Sequence, residues 1–422
     1  MKRGLSTAVP TIRTLLLSLW VLLDSLGVLL RRVLYGLLFS RRRSGPGADF
    51  EVIAISQVPW DYLWQRNHHT MSRISERRKV LYCCPIPTVT AAKEEIKIGS
   101  LTARSYNENL MYFRPIVLWG DSRVGAVRYL NRLLLRNFIK WHAVRNGMGG
   151  SRRILWYYFP TYEMVAGHLN EDLVLYDIQD EYSAFSWFPP DTAELERRLL
   201  GKCDLVFTGT LQLWKRKNRY NRNMHFIQCG VDSEHFKKAL NEDAEAPSDM
   251  MGLKKPILGY FGLVDTRVDM DLLEAVASQK PDWTIVLIGP SHVEKRASNI
   301  LMMGRRTYDE LPGYLKSFDV CLIPFVLNEN TRNLNPTKLL EYFASGKPVI
   351  STPIPDVIDL YSDLVEIAST PEEVMKAVYR VLSDEDGEKA RKRMREAAEN
   401  SWEGMVESML SHIERTFKEK KI

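Results

Sequence analysis

The sequence predicts an α/β protein built of two doubly wound domains, each a largely parallel sheet covered by helices. Three observations carry that prediction. The chain has 422 residues, 45% hydrophobic and 26% charged, which suits more than one core when a domain takes roughly 150 residues. From residue 50 onward, short β-branched runs alternate with helical stretches, the rhythm of strand–helix–strand units. One polar, acidic stretch, Leu240 to Asp249, interrupts that rhythm before it resumes.

The first set of strand candidates is Phe50–Ser56, Lys79–Pro85, Ile154–Phe159, Leu173–Asp177, Asp204–Thr208 and His225–Gln228. Their hydrophobicity on both faces suits parallel strands buried on both sides. The second set is Pro256–Phe261, Thr284–Ile288, Ile300–Met303, Val320–Pro324, Val349–Thr352 and Val365–Ala368, followed by a helical segment from Pro371 to Lys420. The expected organisation is a segment and linker over 1–48, a first domain over 49–238 and a second over 250–395. A closing helix over 396–422 is a candidate to cross back to the first domain. Two such sheets, with their crevices at the carboxyl ends of the strands, would face each other across a cleft.

The N-terminal segment is leucine-rich from Thr11 to Ser40 and is bounded by Met1-Lys2-Arg3 and Arg41-Arg42-Arg43. Asp24, Arg31 and Arg32 interrupt it, so no apolar run reaches the roughly 18 residues of a spanning helix. On a helical wheel Arg13, Asp24 and Arg31 fall within about 20° of one another, opposite a face of Leu, Val, Trp and Phe. An amphipathic helix lying in an anionic membrane interface is expected, at the cytoplasmic face and peripheral. The rival reading as a secretory signal lacks a small-residue cleavage site. The net charge of +6 is modest and partly local to this segment, which argues against nucleic acid as a partner. Five cysteines form no zinc-type or disulfide framework and point to a reducing compartment.

The strongest local signal is Asn333-Leu-Asn335-Pro336-Thr-Lys338-Leu-Leu-Glu341-Tyr-Phe-Ala-Ser-Gly346-Lys347-Pro348-Val-Ile. It predicts a loop, a short helix and a buried strand. Asn335 is the expected N-cap, Pro336 the first helical residue and Gly346 the terminator. The open amides of that helix, with Lys338 one turn in, make an anion site that a pyrophosphate fits. Glu341 stands where a carboxylate accepts both hydroxyls of a ribose diol. The plainer alternative is a capped surface helix with Glu341 solvated.

This segment resembles the nucleotide-sugar motif of GT-B glycosyltransferases of the bacterial surface-polysaccharide kind, retaining and family-4-like, including teichuronic-acid-type enzymes. Also similar to that family are Trp60-Asp61-Tyr-Leu-Trp64-Gln-Arg66, Tyr176-Asp177-Ile-Gln-Asp180-Glu-Tyr, Asp204-Leu-Val-Phe-Thr208, Gly230-Val231-Asp232 with Phe236, and Gly259-Tyr-Phe-Gly262-Leu-Val-Asp265-Thr-Arg267. The likeness runs over about residues 50 to 415, and its specificity lies in the order of the motifs. It implies that Glu341 holds the donor ribose, that Lys338 and the helix N-terminus hold the diphosphate, and that Gly262 lets backbone approach the donor. It further implies that Arg267 offsets leaving-group charge. Many retaining members carry an acid eight positions before this Glu. Here Asn333 stands there, a neutral group which, with Asn335, substitutes more weakly at the donor sugar.

In the first domain, Asp177, Asp180 and Glu181 form an acidic cluster at a strand's carboxyl end, where open α/β sheets place ligands. Asp180 is a candidate base for an acceptor hydroxyl, or a helix cap. Arg66 follows the aromatic loop of Trp60, Tyr62 and Trp64, suited to stacking on an acceptor sugar or meeting lipid. The adjacent His68 and His69 point apart on a helix and make no metal site. Asp269-Met-Asp271 and Asp384-Glu-Asp386 superficially resemble a metal-binding Asp-x-Asp. The first opens a helix and the second lies in a polar turn, so no catalytic metal or other cofactor is expected.

The expected activity is transfer of a hexose-type unit from a uridine- or guanosine-diphosphate sugar to a glycan or lipid-linked acceptor, with retention favoured. A nucleotide-sugar epimerase on the same fold and a catalytically silent membrane-bound scaffold are the alternatives.

Overall fold

The computed structural model describes residues 50–87, 103–118, 125–185, 188–241, 246–383 and 387–422. The N-terminal segment with Arg13, Asp24 and Arg31 lies outside the described residues, as does Asp384-Glu-Asp386. The chain divides into two compact units. One comprises Met1–Phe207, Lys217–His225 and Leu410–Ile422, the other Thr208–Arg216 and Phe226–Met409.

In the first unit the main strands are β1 (Phe50–Ile55), β2 (Val80–Cys83), β4 (Arg104–Ser105), β5 (Leu110–Phe113), β7 (Arg152–Tyr157), β8 (Leu173–Ile178), β9 (Leu205–Thr208) and β10 (Met224–Phe226). They pair in the order β10-β9-β8-β7-β1-β2-β5-β4. A two-stranded sheet of β3 (Ile86–Pro87) and β6 (Ile116–Val117) accompanies them. β1 is parallel to both β2 and β7, and β4 runs antiparallel to β5. Every residue of β1, β2 and β8 is buried, as strands covered on both faces require. The strand order reverses between β1 and β7, so the crevice lies at Ser56–Arg66 and after Tyr157.

The second unit's strands are β11 (Ile257–Phe261), β12 (Thr284–Ile288), β13 (Ile300–Gly304), β14 (Val320–Ile323), β15 (Val349–Ser351) and β16 (Glu366–Ile367). Their order is β13-β12-β11-β14-β15-β16, parallel throughout. Renumbered within the unit this is 3-2-1-4-5-6, the dinucleotide-type order whose switch point falls between β11 and β14. Gly259 is required at the sheet surface, because a Cβ there would stand 2.1 Å from the Phe318 ring.

Each of the twelve predicted strands is present within two or three residues of its expected ends. The sequence reading passed over β5, whose Leu-Met-Tyr-Phe alternates only weakly, and over the two-residue strands β3, β4 and β6. After Pro371 the described elements are helices over Pro371–Ser383, Gly387–Glu399 and Trp402–Glu419. All five cysteines are free thiols.

Candidate functional site

In the second unit the predicted donor residues gather at the end of β11. The helix Thr337–Ala344 begins one residue later than expected, with Pro336 as N-cap and no side chain bonded to its first amides. Asn335 is therefore not the cap. Its side chain hydrogen-bonds the Tyr361 hydroxyl, which itself donates to Gln228 Oε1 at 2.7 Å. Leu339 N–H is taken by Pro336 O at 3.0 Å, but with no side-chain cap and no acid in the first turn the Thr337 and Lys338 amides before it can meet an anion. The far end is closed as expected: Gly346 has φ +70°, and the buried Arg393 donates from Nη1 to its carbonyl at 2.9 Å.

This helix is locked onto β11 by Tyr342. Its ring meets Phe261 edge-on at 4.8 Å, and its hydroxyl accepts from the Phe261 amide at 3.2 Å. The lock sets Lys338 directly over Gly262. A Cβ on Gly262 would lie 2.0 Å from Lys338 Cε, and Gly262 has φ +141°, a backbone region that L side chains avoid. Gly289, at the end of β12, faces it in turn: a Cβ there would stand 1.9 Å from the Gly262 carbonyl oxygen. Gly262 donates its N–H to Ile288 O at 2.8 Å. Sequence reading found Gly262 but not Gly289, for which the only signal was a Gly-Pro pair closing a strand.

Lys338 and Glu341 are half-buried. Burial pulls the Lys338 ammonium below its usual pKa, with Glu341 opposing and Arg267 reinforcing the shift. Burial likewise raises the Glu341 carboxyl, with Lys338 opposing. Both charges are thus held at a cost that a charged or hydroxylated ligand relieves. The Lys338 ammonium also lies 6.0 Å from the Tyr260 ring centre. Arg267 is not an isolated cation. Its Nε spans both Asp265 oxygens at 2.9 and 3.1 Å. Burial resists ionisation of Asp265, but hydrogen bonds from the Arg267 side chain and backbone hold its carboxyl below the usual range.

Asn333 does not present itself to a donor. It is buried, its Nδ2 donates to Glu329 O at 2.7 Å and its Oδ1 accepts from Arg216 at 3.2 Å. The 3-10 turn Thr331–Asn333 directs the amide into the loop, so its expected place at the sugar is corrected. Asp269 opens the helix Met270–Gln279 and accepts from Leu272 N at 2.9 Å, consistent with a cap. Among the described residues no cluster of His, Cys, Asp and Glu is placed to hold a metal ion.

In the first unit two expected acceptor residues bind each other. Arg66 Nε lies 3.1 and 3.0 Å from the two Asp177 oxygens, with both side chains buried. Trp60 is also buried, edge-on to Tyr82 at 5.0 Å and Tyr106 at 5.1 Å, so it is core and not a stacking platform. Trp64 remains 46% exposed, beside Tyr62 and Leu63. Asp180 precedes the turn Tyr182–Ala184, whose N-cap is Glu181 and is not closed by a side chain. It is half-buried, and its carbonyl accepts from Tyr182 N. Glu181 instead joins Glu196 on the buried Lys217 ammonium, 3.1 Å away in the first case.

The same crevice holds polar atoms that sequence reasoning missed. Gln57 Oε1, Asn67 Oδ1 and Gln179 Nε2 are buried without a hydrogen-bond partner, although the other ends of two are fixed. Gln57 donates to the Tyr182 hydroxyl at 3.1 Å, and Asn67 donates to Ser56 Oγ and the Tyr82 hydroxyl. Unpaired buried amides are rare in folded proteins, and each calls for a partner that the chain itself does not supply, an ordered water or a ligand. Single glutamines and asparagines carry no motif, so only the fold shows them together.

Residues 255–384 match the family described as Glycosyl transferases group 1. The putative teichuronic acid biosynthesis glycosyltransferase TuaH of Bacillus subtilis (strain 168) is 24% identical over 375 residues, which cover 82% of this chain and 91% of that protein. Sucrose-phosphate synthase from Thermosynechococcus elongatus superposes with a TM-score of 0.63 at 15% identity, over 87% of this chain and 99% of that one. HepE of Anabaena, solved in complex with UDP, gives 0.61 at 11% identity, over 86% and 100%. These likenesses identify the fold as GT-B.

Proposed function

We propose, for a chain that is a GT-B glycosyltransferase with its group 1 domain at residues 255–384, that the donor is a uridine- or guanosine-diphosphate hexose. The acceptor is a hydroxyl of a glycan or lipid-linked saccharide used in surface polysaccharide synthesis. One observation carries the donor assignment: Lys338 lies over Gly262 at an uncapped helix N-terminus, with Glu341 one turn further on. The diphosphate takes the amides and Lys338, the ribose takes Glu341, and Gly262 and Gly289 leave room for the approach. HepE, solved with UDP and with UDP and glucose, supports this donor class, and TuaH, a putative teichuronic acid biosynthesis glycosyltransferase, supports the polymer class. Nothing in the comparisons supports the epimerase alternative.

In the reaction, the acceptor oxygen attacks the anomeric carbon, the bond from that carbon to the phosphate oxygen breaks, and the acceptor proton leaves with the diphosphate. Charge growing on the departing oxygen is met by Lys338, by the helix amides and by Arg267 with its Asp265 partner. The resemblance supports a retaining outcome, and in that mechanism the proton passes to the phosphate, which asks for no strong enzymic base. No divalent metal is required, so chelator leaves turnover intact; a loss restored by manganese overturns that claim. On the acceptor side Gln57, Asn67 and Gln179 offer amides to sugar hydroxyls, with Trp64 as the exposed ring and Asp180 as a carboxylate that accepts a hydrogen bond from an acceptor hydroxyl without taking its proton.

The protein acts at the cytoplasmic face of the membrane as a peripheral enzyme, held by residues 1–43. Among the described residues no helix is long and apolar enough to cross a membrane. The deciding experiment incubates the full chain with a panel of nucleotide sugars and follows thermal shift and slow donor hydrolysis. A ligand at about 100 times its Kd stabilises by about 2.7 kcal/mol. Stabilisation and hydrolysis with one donor class confirm the reading. Neither effect with any donor overturns it in favour of a silent scaffold.

A further inference from the structure

Residues 334–336 lead into the helix Thr337–Ala344, and their conformation decides where its first amides point. Leu334 donates to Thr331 O at a long 3.3 Å, and Pro336 has no N–H to give. The Asn335 side chain adds a tie of its own, a hydrogen bond to the Tyr361 hydroxyl. Tyr361 is the last residue of the helix Pro355–Tyr361 and is 2% exposed. Its ring meets Phe343 edge-on at 5.5 Å. One side chain therefore touches the helix Thr337–Ala344 near its end and the loop before its start.

The hydroxyl is anchored on its other side by a chain of amides. It donates to Gln228 Oε1 at 2.7 Å, and Gln228 Nε2 donates to Asn400 Oδ1. Asn400 Nδ2 in turn donates to the carbonyl and the carboxylate of Glu396, at 2.8 and 2.9 Å. That chain ends on close-packed backbone. Val231 N–H donates to Asn400 O at 2.9 Å, and a Cβ on Gly230 would stand 2.5 Å from Trp402 N. Gln228, Tyr361, Glu396 and Asn400 also border a cavity of about 370 Å³. Packing leaves the tip of the tyrosine room on that side, so its hydrogen bonds set its place.

We propose that Tyr361 is a positioning residue for glycosyl transfer: its hydroxyl, anchored through Gln228 and Asn400, fixes Asn335 and so aims the Thr337 and Lys338 amides at the donor diphosphate. This inference rests on the donor reading above. Preorganised donors stabilise charge growing on a leaving group only while they are aimed at it. Slight misplacement costs rate more than binding, and Glu341, one turn further along the helix, keeps its hold on the ribose. A purely structural role would be met by the ring against Phe343. The loop needs the hydroxyl.

The test compares Tyr361→Phe, which keeps the ring and removes the hydroxyl, with Asn335→Ala and with the double variant. Each is made in the full chain and assayed with the nucleotide sugar that the parent hydrolyses. Tyr361→Phe should lower kcat about tenfold while moving donor KM less than about twofold. Asn335→Ala should do the same, and the double variant should fall no further than the worse single one, because members of one relay are not additive. Hydrogen exchange of the amides within 334–339 should quicken at least about threefold in Tyr361→Phe. A merely structural tyrosine would lower the melting temperature and leave kcat, KM and that exchange at parental values. Parental kcat in Tyr361→Phe, losses that multiply in the double variant, or parental exchange within 334–339 each overturns the proposal and leaves the donor reading standing. A parent that neither binds nor hydrolyses any nucleotide sugar overturns both.

Discussion

Arg66 reaches across the crevice of the first sheet to Asp177, its Nε 3.0 and 3.1 Å from the two carboxylate oxygens, and neither side chain meets bulk solvent. Removing one partner strands a buried charge, so Arg66→Met should cost about 3–5 kcal/mol of stability. Arg66→Met/Asp177→Leu should recover most of that loss. Chemical denaturation measures both. A stable Arg66→Met protein with only acceptor turnover impaired would return Arg66 to the acceptor site.

Gln57→Ala and Gln179→Ala should behave in the opposite way. Each removes an atom that lacks a partner, and Gln57→Ala also loses the bond to the Tyr182 hydroxyl, so stability should fall by no more than about 0.5–1.5 kcal/mol. The KM for acceptor should rise about tenfold, which corresponds to about 1.4 kcal/mol. Steady-state kinetics with a soluble acceptor decides it. Unchanged KM in both variants would make these amides structural.

Gly262→Ala should damage donor binding more than its size suggests. The added methyl would lie 2.0 Å from Lys338 Cε on a backbone at φ +141°, so Lys338 must move and strain of about 1–3 kcal/mol is added. Calorimetry should show at least a tenfold loss of donor affinity, together with a lower denaturation midpoint. Lys338→Ala should lower kcat more than affinity, because its contact strengthens as the diphosphate leaves.

Glu341→Ala should weaken donor binding by about 1.5–3 kcal/mol without unfolding the protein, as loss of a charged hydrogen-bond acceptor requires. The carboxyl is raised by burial, and only its ionised form accepts two hydroxyl protons. Donor affinity should therefore fall as pH drops through that raised value, while Glu341→Gln flattens the profile. Calorimetry across pH checks both. Equal affinity of parent and Ala variant would remove Glu341 from the ribose.

Three histidines set the acid side of the stability curve. Burial lowers His142 to about 4, with Arg145 adding to the shift. It lowers His225 to about 4, helped by His412 and Arg415, and His69 to about 3, helped by Arg73 and His68. The unfolded chain takes up these protons near pH 6.5 and the folded chain does not, so the unfolded state binds more protons between the two values. Stability is complete above about pH 6.5 and is lost as pH falls toward 4. Thermal melts at stepped pH should show that slope, and His142→Gln/His225→Gln should reduce it.

The sequence by itself determined the two sheets, because hydrophobic runs of strand length between helical periods leave few alternatives to parallel, doubly wound packing. It determined the helix Thr337–Ala344 too, since Gly346, Pro348 and the apolar spacing act within one turn of chain. Lys338 and Glu341 could be proposed together for the same reason: both stand on that helix, one turn apart. What only the tertiary structure decided involves partners far apart in sequence. Asp177 lies 111 residues from Arg66, and nothing in either motif says that their charges cancel in a buried pair. Asn335 looked like a cap until Tyr361 took its amide, and Asn333 looked like a sugar ligand until Arg216 and the Glu329 carbonyl occupied both its ends. Gln57, Asn67 and Gln179 were invisible because an amide's role depends on whether folding leaves it a partner, and that is a property of packing and not of spacing.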